Sequence, residues 1–288
     1  DVHARLAKTP SPQFLAEAAW VLGSIKSTAA VTDLLELASD RSPSGVRAQA
    51  LFALARVGTP AARDAFTAGL SSDDGSVKRA AARGLSQVPD PNALPALARL
   101  LEDEKGVDRD EELRLEVARA LAASAPDDPL AIAPLVAALQ TSPRASDAVR
   151  VPLALACVKG LGRAHDSQVV ATLVAVLDLG LGFQVEHAAA ATVSQVARIP
   201  HEPRERLRAL VEEGKAPAIP RACAAWVLAQ RGEDGPLAAL IDASRAKETD
   251  TRVAVATLLG QGKLEGTVAA LSSLAQDAEP KVRRAAVA

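Results

Sequence analysis

Residues 44–54 read Ser-Gly-Val-Arg-Ala-Gln-Ala-Leu-Phe-Ala-Leu, and residues 75–85 read Gly-Ser-Val-Lys-Arg-Ala-Ala-Ala-Arg-Gly-Leu. The same pattern returns in residues 250–260, Asp-Thr-Arg-Val-Ala-Val-Ala-Thr-Leu-Leu-Gly, and in residues 280–287, Pro-Lys-Val-Arg-Arg-Ala-Ala-Val. Each copy places a basic anchor residue after a polar loop and before an alanine-rich segment. Self-similarity of this kind is typical of repeat architectures, so the chain is predicted to be built from stacked copies of one unit.

Weaker copies of the pattern fill the rest of the chain and give it a regular period. The anchors, strong and weak together, are Leu15, Arg47, Lys78, Arg114, Val151, Glu186, Arg221, Arg252 and Arg283. Successive anchors are about 31 to 37 residues apart, which is the range of helical repeats. Small or apolar residues follow most anchors after three and seven positions, a spacing that keeps one face of a helix apolar.

A second amphipathic segment precedes or follows each of these predicted helices. These segments are residues 29–38, 60–70, 92–101, 129–139, 168–177, 203–211, 235–243 and 266–275. Several open with proline, which is tolerated in the first turn of a helix because the N–H that it lacks has no intrahelical partner there. The sequence therefore predicts an all-α fold, an α-solenoid of antiparallel helix pairs.

Composition supports helices. Hydrophobic residues make up 49% of the chain while aromatic residues make up only 2%, with no Tyr and no Met. The apolar content is therefore mainly Ala, Leu and Val, and Ala and Leu are strong helix formers. A β-sheet protein would carry more aromatic residues.

The repeat resembles HEAT repeats, especially the short bacterial kind related to phycobilin-lyase HEAT-like repeats. The resemblance covers nearly the whole chain and implies a right-handed stack of helix pairs. It also implies that the first helix of each pair lies on the convex side and that the second, anchor-bearing helix lines the concave side. It implies nothing specific about activity.

Acidic residues precede many of the second helices, where they are predicted to cap the helix N-terminus. They are Asp40, Asp73, Asp74, Asp147, Asp250 and Asp277. In HEAT families such acids also pair with the basic anchor of the same or an adjacent repeat. Here the arginines concerned would be Arg47, Arg114, Arg150, Arg221, Arg252 and Arg283. This ladder of ion pairs is expected to be interrupted at Leu15 and Glu186, where the anchor is not basic.

The chain is predicted to be a single solenoid over residues 1–288, with about eight helix pairs, cut from a longer protein. No apolar run approaches the roughly 20 residues that span a bilayer, so membrane insertion is not expected. No signal peptide is visible, and a cytoplasmic location is expected. Cys157 and Cys223 are predicted to be buried free thiols.

No pattern in the sequence predicts an active site, a metal site or a cofactor. The four histidines, His3, His165, His187 and His201, lie in different repeats, and neither cysteine has a neighbouring histidine. No phosphate-binding glycine loop is present, because Gly180-Leu-Gly-Phe183 lacks the lysine that such a loop needs. The chain is therefore not expected to be an enzyme.

The favoured function is a protein-interaction scaffold that binds a protein partner on the concave surface of the second helices. The residues predicted to contact the partner are Lys78, Arg79, Arg83, Glu116, Arg119, Lys159 and His187. One alternative is a nucleic-acid-binding protein that uses the same basic helices. The balance of 33 basic and 35 acidic residues argues against it. Another is an accessory subunit of a lyase or modifying enzyme. The oligomeric state is not predicted.

Two further features concern bulky apolar residues. Trp20 and Trp226 sit in apolar helical patterns and are both expected in the core. Leu179-Gly-Leu-Gly-Phe183 is read either as a buried elbow or as a contact loop at the surface.

Overall fold

The computed structural model of the protein describes residues 11–102, 110–124, 128–141, 147–162, 167–214, 216–262 and 264–288. All regular secondary structure in these ranges is helical, and no described residue lies in a β-strand. The helices alternate along the chain as pairs. The prediction of an all-α solenoid is confirmed.

The helices fall into two compact units, Asp1–Leu161 (unit 1) and Gly162–Ala288 (unit 2). The helices of unit 1 are α1 (Pro12–Ser24), α2 (Val31–Leu37), α3 (Ser44–Val57), α4 (Arg63–Gly69), α5 (Gly75–Gln87), α6 (Leu94–Glu102), α7 (Glu111–Ser124), α8 (Pro129–Thr141) and α9 (Asp147–Leu161). Those of unit 2 are α10 (Ser167–Val176), α11 (Phe183–Gln195), α12 (His201–Glu212), α13 (Ala218–Ala229), α14 (Asp234–Ala243), α15 (Thr249–Gln261), α16 (Val268–Leu274) and α17 (Pro280–Val287). The inclusion of every pair in one solenoid over residues 1–288 stays a prediction.

Each unit has two layers of helices. In unit 1 the anchor-bearing second helices α1, α3, α5, α7 and α9 pack each against the next, and the even-numbered first helices α2, α4, α6 and α8 pack on the second helix of their own pair. In unit 2 the second helices α11, α13, α15 and α17 form the same kind of row. The contacts between second helices are more extensive than those between first helices. The row of second helices is thus the more closely packed layer of each unit.

Small side chains allow this close packing. A Cβ atom on Gly23 of α1 would overlap the backbone of Ala53 on α3, so the two helices approach as near as their main chains permit. A Cβ on Gly84 of α5 would overlap the ring of Phe66 on α4, which is fully buried. The low aromatic content follows from this geometry, because a row of helices packed through Ala and Gly has little room for rings.

The basic anchors stabilise the ends of the first helices. Arg47 Nε donates to the carbonyl of Ala38 at 3.2 Å, and Arg283 Nη1 donates to the carbonyls of Asp277 and Ala278 at 2.7 and 2.8 Å. Arg252 Nη1 bonds the carbonyls of Ala246 and Lys247 in the same way. Ala38 directly follows α2, and the other four carbonyls lie in the loops after α14 and α16, where an arginine from the next helix supplies a donor.

The predicted ladder of ion pairs between anchors and loop acids is realised in unit 2 by Arg252 and Asp277. Arg252 forms a two-pronged pair with Asp277, at 2.8 and 3.2 Å, and both side chains are largely buried. Arg47 and Arg283 instead bond backbone carbonyls. Arg47 therefore differs from the prediction, whereas the charge of Arg283 still lowers the pKa of the Asp277 carboxyl.

The predicted capping role holds for Asp74, which is the N-cap residue of α5. Asp74 Oδ1 accepts from the N–H of Ser76 at 2.8 Å, and its hydrogen bonds to serine hydroxyls and that N–H hold its pKa at about 2. Asp277 Oδ1 accepts from the N–H of Glu279 at 2.9 Å, which closes a turn just before α17 and does not cap the helix, whose N-cap residue is Glu279. Asp250 lies inside the first turn of α15 instead of before it, so it caps nothing. The side chain of Asp147 lies outside the described residues.

Candidate partner-binding surface

The second helices of unit 1 carry an aligned set of exposed side chains. Each lies five residues after the anchor of its helix. They are Trp20 on α1, Phe52 on α3, Arg83 on α5 and Arg119 on α7. Trp20 is 58% exposed, and Phe52 is half-buried. Arg83 and Arg119 are exposed, so the four side chains lie at one repeat position of the second-helix layer, three of them exposed and Phe52 half-buried.

Three of these side chains surround a shallow pocket of about 300 Å³. The pocket is lined by Trp20, Gln49, Phe52, Ala53, Arg56 and Arg83. The guanidinium carbon of Arg83 lies 5.9 Å from the centre of the Phe52 ring, within the range of a cation–π contact. The pocket therefore combines an aromatic wall with a cationic rim.

Arg56 and Arg83 are exposed, and neither forms an ion pair with another described residue. Their positions explain this. Arg56 lies in the last turn of α3 and Arg83 lies past the middle of α5, whereas the acids of the neighbouring repeat gather at the start of α7. The two charges at the pocket rim are thus left available to a ligand.

The other residues predicted to contact a partner lie in varied settings. Arg79 joins α5 to the start of α7 through ion pairs with Asp110, at 3.2 Å, and with Glu112. Glu116 and Arg119 pair with each other along α7, at 3.0 Å. Lys78 is half-buried, and Lys159 is exposed in the last turn of α9. Their role in partner binding stays a prediction, and Arg83 is the one that lines the pocket.

The prediction that Trp20 lies in the core is wrong, because its side chain is 58% exposed. Trp226 has the same repeat position and is 5% exposed, as expected. The difference lies in the neighbours. Trp226 is overlaid by His187 from the preceding second helix, with ring centres 6.1 Å apart. Trp20 lies on α1, the first helix of the described residues, beside Phe52, Arg83 and the other pocket residues. The alignment of repeats, with Trp20 and Phe52 in the position of Arg83, was the sequence signal for this pocket.

His187 closes the corresponding surface of unit 2. Its ring stacks on Phe183, with centroids 5.2 Å apart, and its Nε2 lies 2.6 Å from Oε1 of Gln261 on α15. An amide oxygen only accepts, so Nε2 is the donor of this bond. The contact links α11 to α15 across Trp226, whose own Nε1 finds no hydrogen-bond partner among the described residues. Side chains of the protein itself occupy this stretch of the second-helix layer.

Glu186 is the one predicted anchor that is acidic, and it is 2% exposed. Burial raises the pKa of its carboxyl to about 7, and a backbone hydrogen bond from Gly182 offsets part of that effect. Its Oε2 has no hydrogen-bond partner within the described chain. The segment before it is partly at the surface: Leu179 is 42% exposed, whereas Leu181 is buried.

Both cysteines are free and buried, as predicted. Burial raises the pKa of the Cys157 thiol to about 12 and that of the Cys223 thiol beyond the ordinary range, the latter with help from the Glu186 charge. A thiol that keeps its proton at neutral pH is a poor nucleophile.

Groups that would suggest metal binding or a membrane span are absent from the described residues. They contain no cluster of three or more His, Cys, Asp or Glu side chains suited to a metal ion. His3 and His165 lie outside them. No helix in the described ranges is long and apolar enough to cross a membrane.

Comparison with known proteins gives one family and a set of related folds. A family model described as HEAT repeats matches residues 1–77, 37–109 and 64–151, which together span more than half of the chain. No curated protein matches the chain.

Two solved structures illustrate the related folds. An engineered protein is 20% identical with a TM-score of 0.56, and the match covers 98% of this chain and 85% of that one. The complex of CpcE and CpcF of phycocyanin lyase from a Nostoc species is 22% identical with a TM-score of 0.44, covering 87% and 90%. Such identities bear on the fold alone. The repeated anchors, the paired helices and the family match together show that the chain belongs to the HEAT-repeat family.

Proposed function

We propose that the chain is a non-catalytic scaffold that binds a protein partner on the second-helix surface of unit 1. The observation that carries this proposal is the exposed Trp20 beside Phe52 and Arg83, aligned on successive second helices. Large aromatic side chains and arginine dominate the energy of protein interfaces when they lie together in a partly enclosed site. A surface that served only to keep the protein in solution would not need them.

Charged residues of unit 1 outside the pocket would form the polar rim of the proposed interface. Glu116, Arg119 and Lys78 add mixed charges to the same layer, and a polar rim around an apolar centre is the usual anatomy of an interface. The stack of helices supplies a long, rigid surface without a separate domain. Cys157 and Cys223 are both free, and we place the protein in a reducing compartment such as the cytoplasm.

A nucleic-acid-binding role has less support from the same residues. Arg79 and Arg119 are already paired with carboxylates of α7, and the chain carries a net charge of −2. Binding to a phosphate backbone rests on many unpaired cations, because it is driven by release of the counterions that surround the phosphates. The residues supply no specific argument for an accessory role in a lyase.

Site-specific photo-crosslinking tests the proposal. A benzophenone amino acid at Gln87, which is exposed in the last turn of α5 at the repeat position of Arg56, samples the second-helix surface. The matched control carries it at Arg99, which is exposed on the first helix α6. In nuclease-treated extract of the source cells, we expect protein adducts at Gln87 that are absent at Arg99.

Two results would count against the scaffold. Equal adducts at Gln87 and Arg99 would show that the second-helix surface has no preference for a partner. Adducts that contain nucleic acid when nuclease is omitted, with no protein adduct when it is added, would favour the nucleic-acid reading instead.

A further inference from the structure

The pocket of unit 1 has an apolar side and a cationic side. Trp20 and Phe52 supply two rings and Ala53 supplies a small, buried base. Arg56 and Arg83 stand at the rim from two successive second helices, α3 and α5. At about 300 Å³, its volume is at the lower end of the range for ligand pockets, so it suits one side chain better than a whole metabolite.

The charge of the rim is not balanced from within. Gln49, the remaining polar residue of the pocket, is neutral. Glu17, at the repeat position of Gln49 on α1, lies outside the lining, and its Oε1 accepts a hydrogen bond from Gln13 at 3.1 Å. Two guanidinium groups therefore face solvent beside an aromatic wall, with no carboxylate of the described chain bonded to them.

We propose that this pocket anchors an acidic segment of a partner protein, in which an apolar side chain is followed by carboxylates. The proposal rests on the scaffold function and names the chemistry of the partner. The apolar side chain enters between Trp20 and Phe52, and the carboxylates bond Arg56 and Arg83. The planar guanidinium group presents paired N–H donors that match a carboxylate, and the contact of Arg83 with the Phe52 ring holds one of them in place.

Indole NMR signals provide the test, because the chain has only two tryptophans. In the ¹⁵N-labelled full chain, a soluble paramagnetic agent broadens the exposed Trp20 signal and spares that of Trp226, which assigns both without mutation. The probe is a capped peptide with the core Leu-Asp-Glu between Gly-Ser flanks. The comparison peptides carry Leu-Lys-Lys or Ala-Asp-Glu in the same flanks, and a single-stranded thymidine oligonucleotide serves as the nucleic-acid probe.

We expect the Leu-Asp-Glu peptide to shift the Trp20 signal in a saturable way while the Trp226 signal stays in place. The Leu-Lys-Lys peptide should leave both signals unchanged, and the Ala-Asp-Glu peptide should bind more weakly. The variant Arg83→Gln should raise the dissociation constant about tenfold or more, as loss of an interface arginine does. Arg63→Gln, an exposed arginine on the first helix α4, should not change it.

Three outcomes would overturn the inference. They are no shift of Trp20 at saturating peptide, equal binding of the lysine peptide, and equal affinity of Arg83→Gln with an unchanged thermal midpoint. A stronger Trp20 shift with the oligonucleotide would reassign the pocket to nucleic acid. If crosslinking at Gln87 still captures a protein while the acidic peptide fails, the scaffold stands and only the acidic anchor is lost.

Discussion

Glu186 carries a cost in stability that depends on pH. Its pKa is about 7 in the folded protein against an ordinary value of 4.5, so the folded state holds the proton more tightly than the unfolded state. The cost is therefore absent below about pH 4.5, grows as pH rises, and is complete above pH 7. A shift of this size corresponds to up to about 3 kcal/mol.

The variant Glu186→Gln removes the titrating group while keeping the shape of the side chain. We expect its free energy of unfolding, relative to the wild type, to rise by about 1–3 kcal/mol between pH 4.5 and pH 8. Urea denaturation at a series of pH values measures this difference. A difference that stays constant over that range would contradict the raised pKa.

Gly84 lies against the buried ring of Phe66, and its missing side chain is what allows that contact. The variant Gly84→Ala should lower the free energy of unfolding by about 1–3 kcal/mol, because the added methyl group forces the ring or the helix to move. Gly45→Ala is the matched control in the same unit, since a Cβ there meets no atom within 4 Å. It should be neutral or stabilising by up to about 1 kcal/mol. Chemical denaturation measures the free energy of unfolding of both variants. Equal changes in the two would contradict the role given to the contact between Gly84 and Phe66.

Residue exposure was the hardest property to predict from the sequence. Trp20 and Trp226 share one repeat position and similar apolar surroundings in sequence, yet one is 58% exposed and the other 5%. Trp226 is covered by His187 from the preceding second helix, whereas Trp20 lies on the first helix of the described residues, and periodicity along one helix carries no information about such a cover. The pocket residues Gln49, Phe52 and Arg56 were missed for the same reason, whereas Arg83 was found because it is charged.

At the scale of the helix, one arginine bonds the segments on both sides of α15. Arg252 bonds two carbonyls that follow α14 and the carboxylate of Asp277 before α17, and its hydrogen bonds hold the pKa of that carboxyl below its ordinary value. We expect Arg252→Ala to lower the thermal midpoint by several degrees. Arg252→Lys should recover only a small part of the lost thermal midpoint, because one ammonium group cannot reproduce the several hydrogen bonds of the guanidinium group.

Arg245→Ala is the control for this prediction, since Arg245 is exposed in the same unit and its side chain forms no bond with the described residues. It should leave the thermal midpoint unchanged. If Arg252→Lys were as stable as the wild type, the hydrogen bonds of the guanidinium group would not account for the stability that Arg252 supplies. Circular dichroism at rising temperature measures all three variants.

The helices themselves followed from the sequence far better than their ion pairs. All eight amphipathic segments placed between the anchors correspond to helices, because repeat spacing, proline at the first turn and apolar periodicity agree at each one. The partners of the anchors followed only in part, as in the pair Arg252–Asp277. An arginine such as Arg47 can reach either a loop acid or a helix-end carbonyl, and the choice depends on distances of an ångström or two that no sequence pattern fixes.

At the scale of the whole molecule, the charges favour the proposed protein partner over a nucleic-acid partner. The chain has 33 basic and 35 acidic residues, and the second helices of unit 1 place acids directly beside several of their arginines, as in the pairs Arg79–Asp110 and Arg119–Glu116. A pair of this kind contributes little net field to a distant phosphate. The cations left unpaired around the pocket are two, which is a small number for a phosphate backbone and enough for one acidic segment.

We therefore expect no saturable binding of a short random-sequence DNA duplex by the full chain at physiological ionic strength, measured by fluorescence anisotropy. At low salt a weak signal should appear, and its dependence on salt should be shallow, because each phosphate contact adds about 0.9 to the slope of log affinity against log salt. The acidic peptide should keep most of its affinity over the same range, since part of its binding is apolar contact with Trp20. Tight duplex binding with a steep slope would mean that the paired arginines exchange their carboxylates for phosphates, and the scaffold reading would give way to a nucleic-acid one.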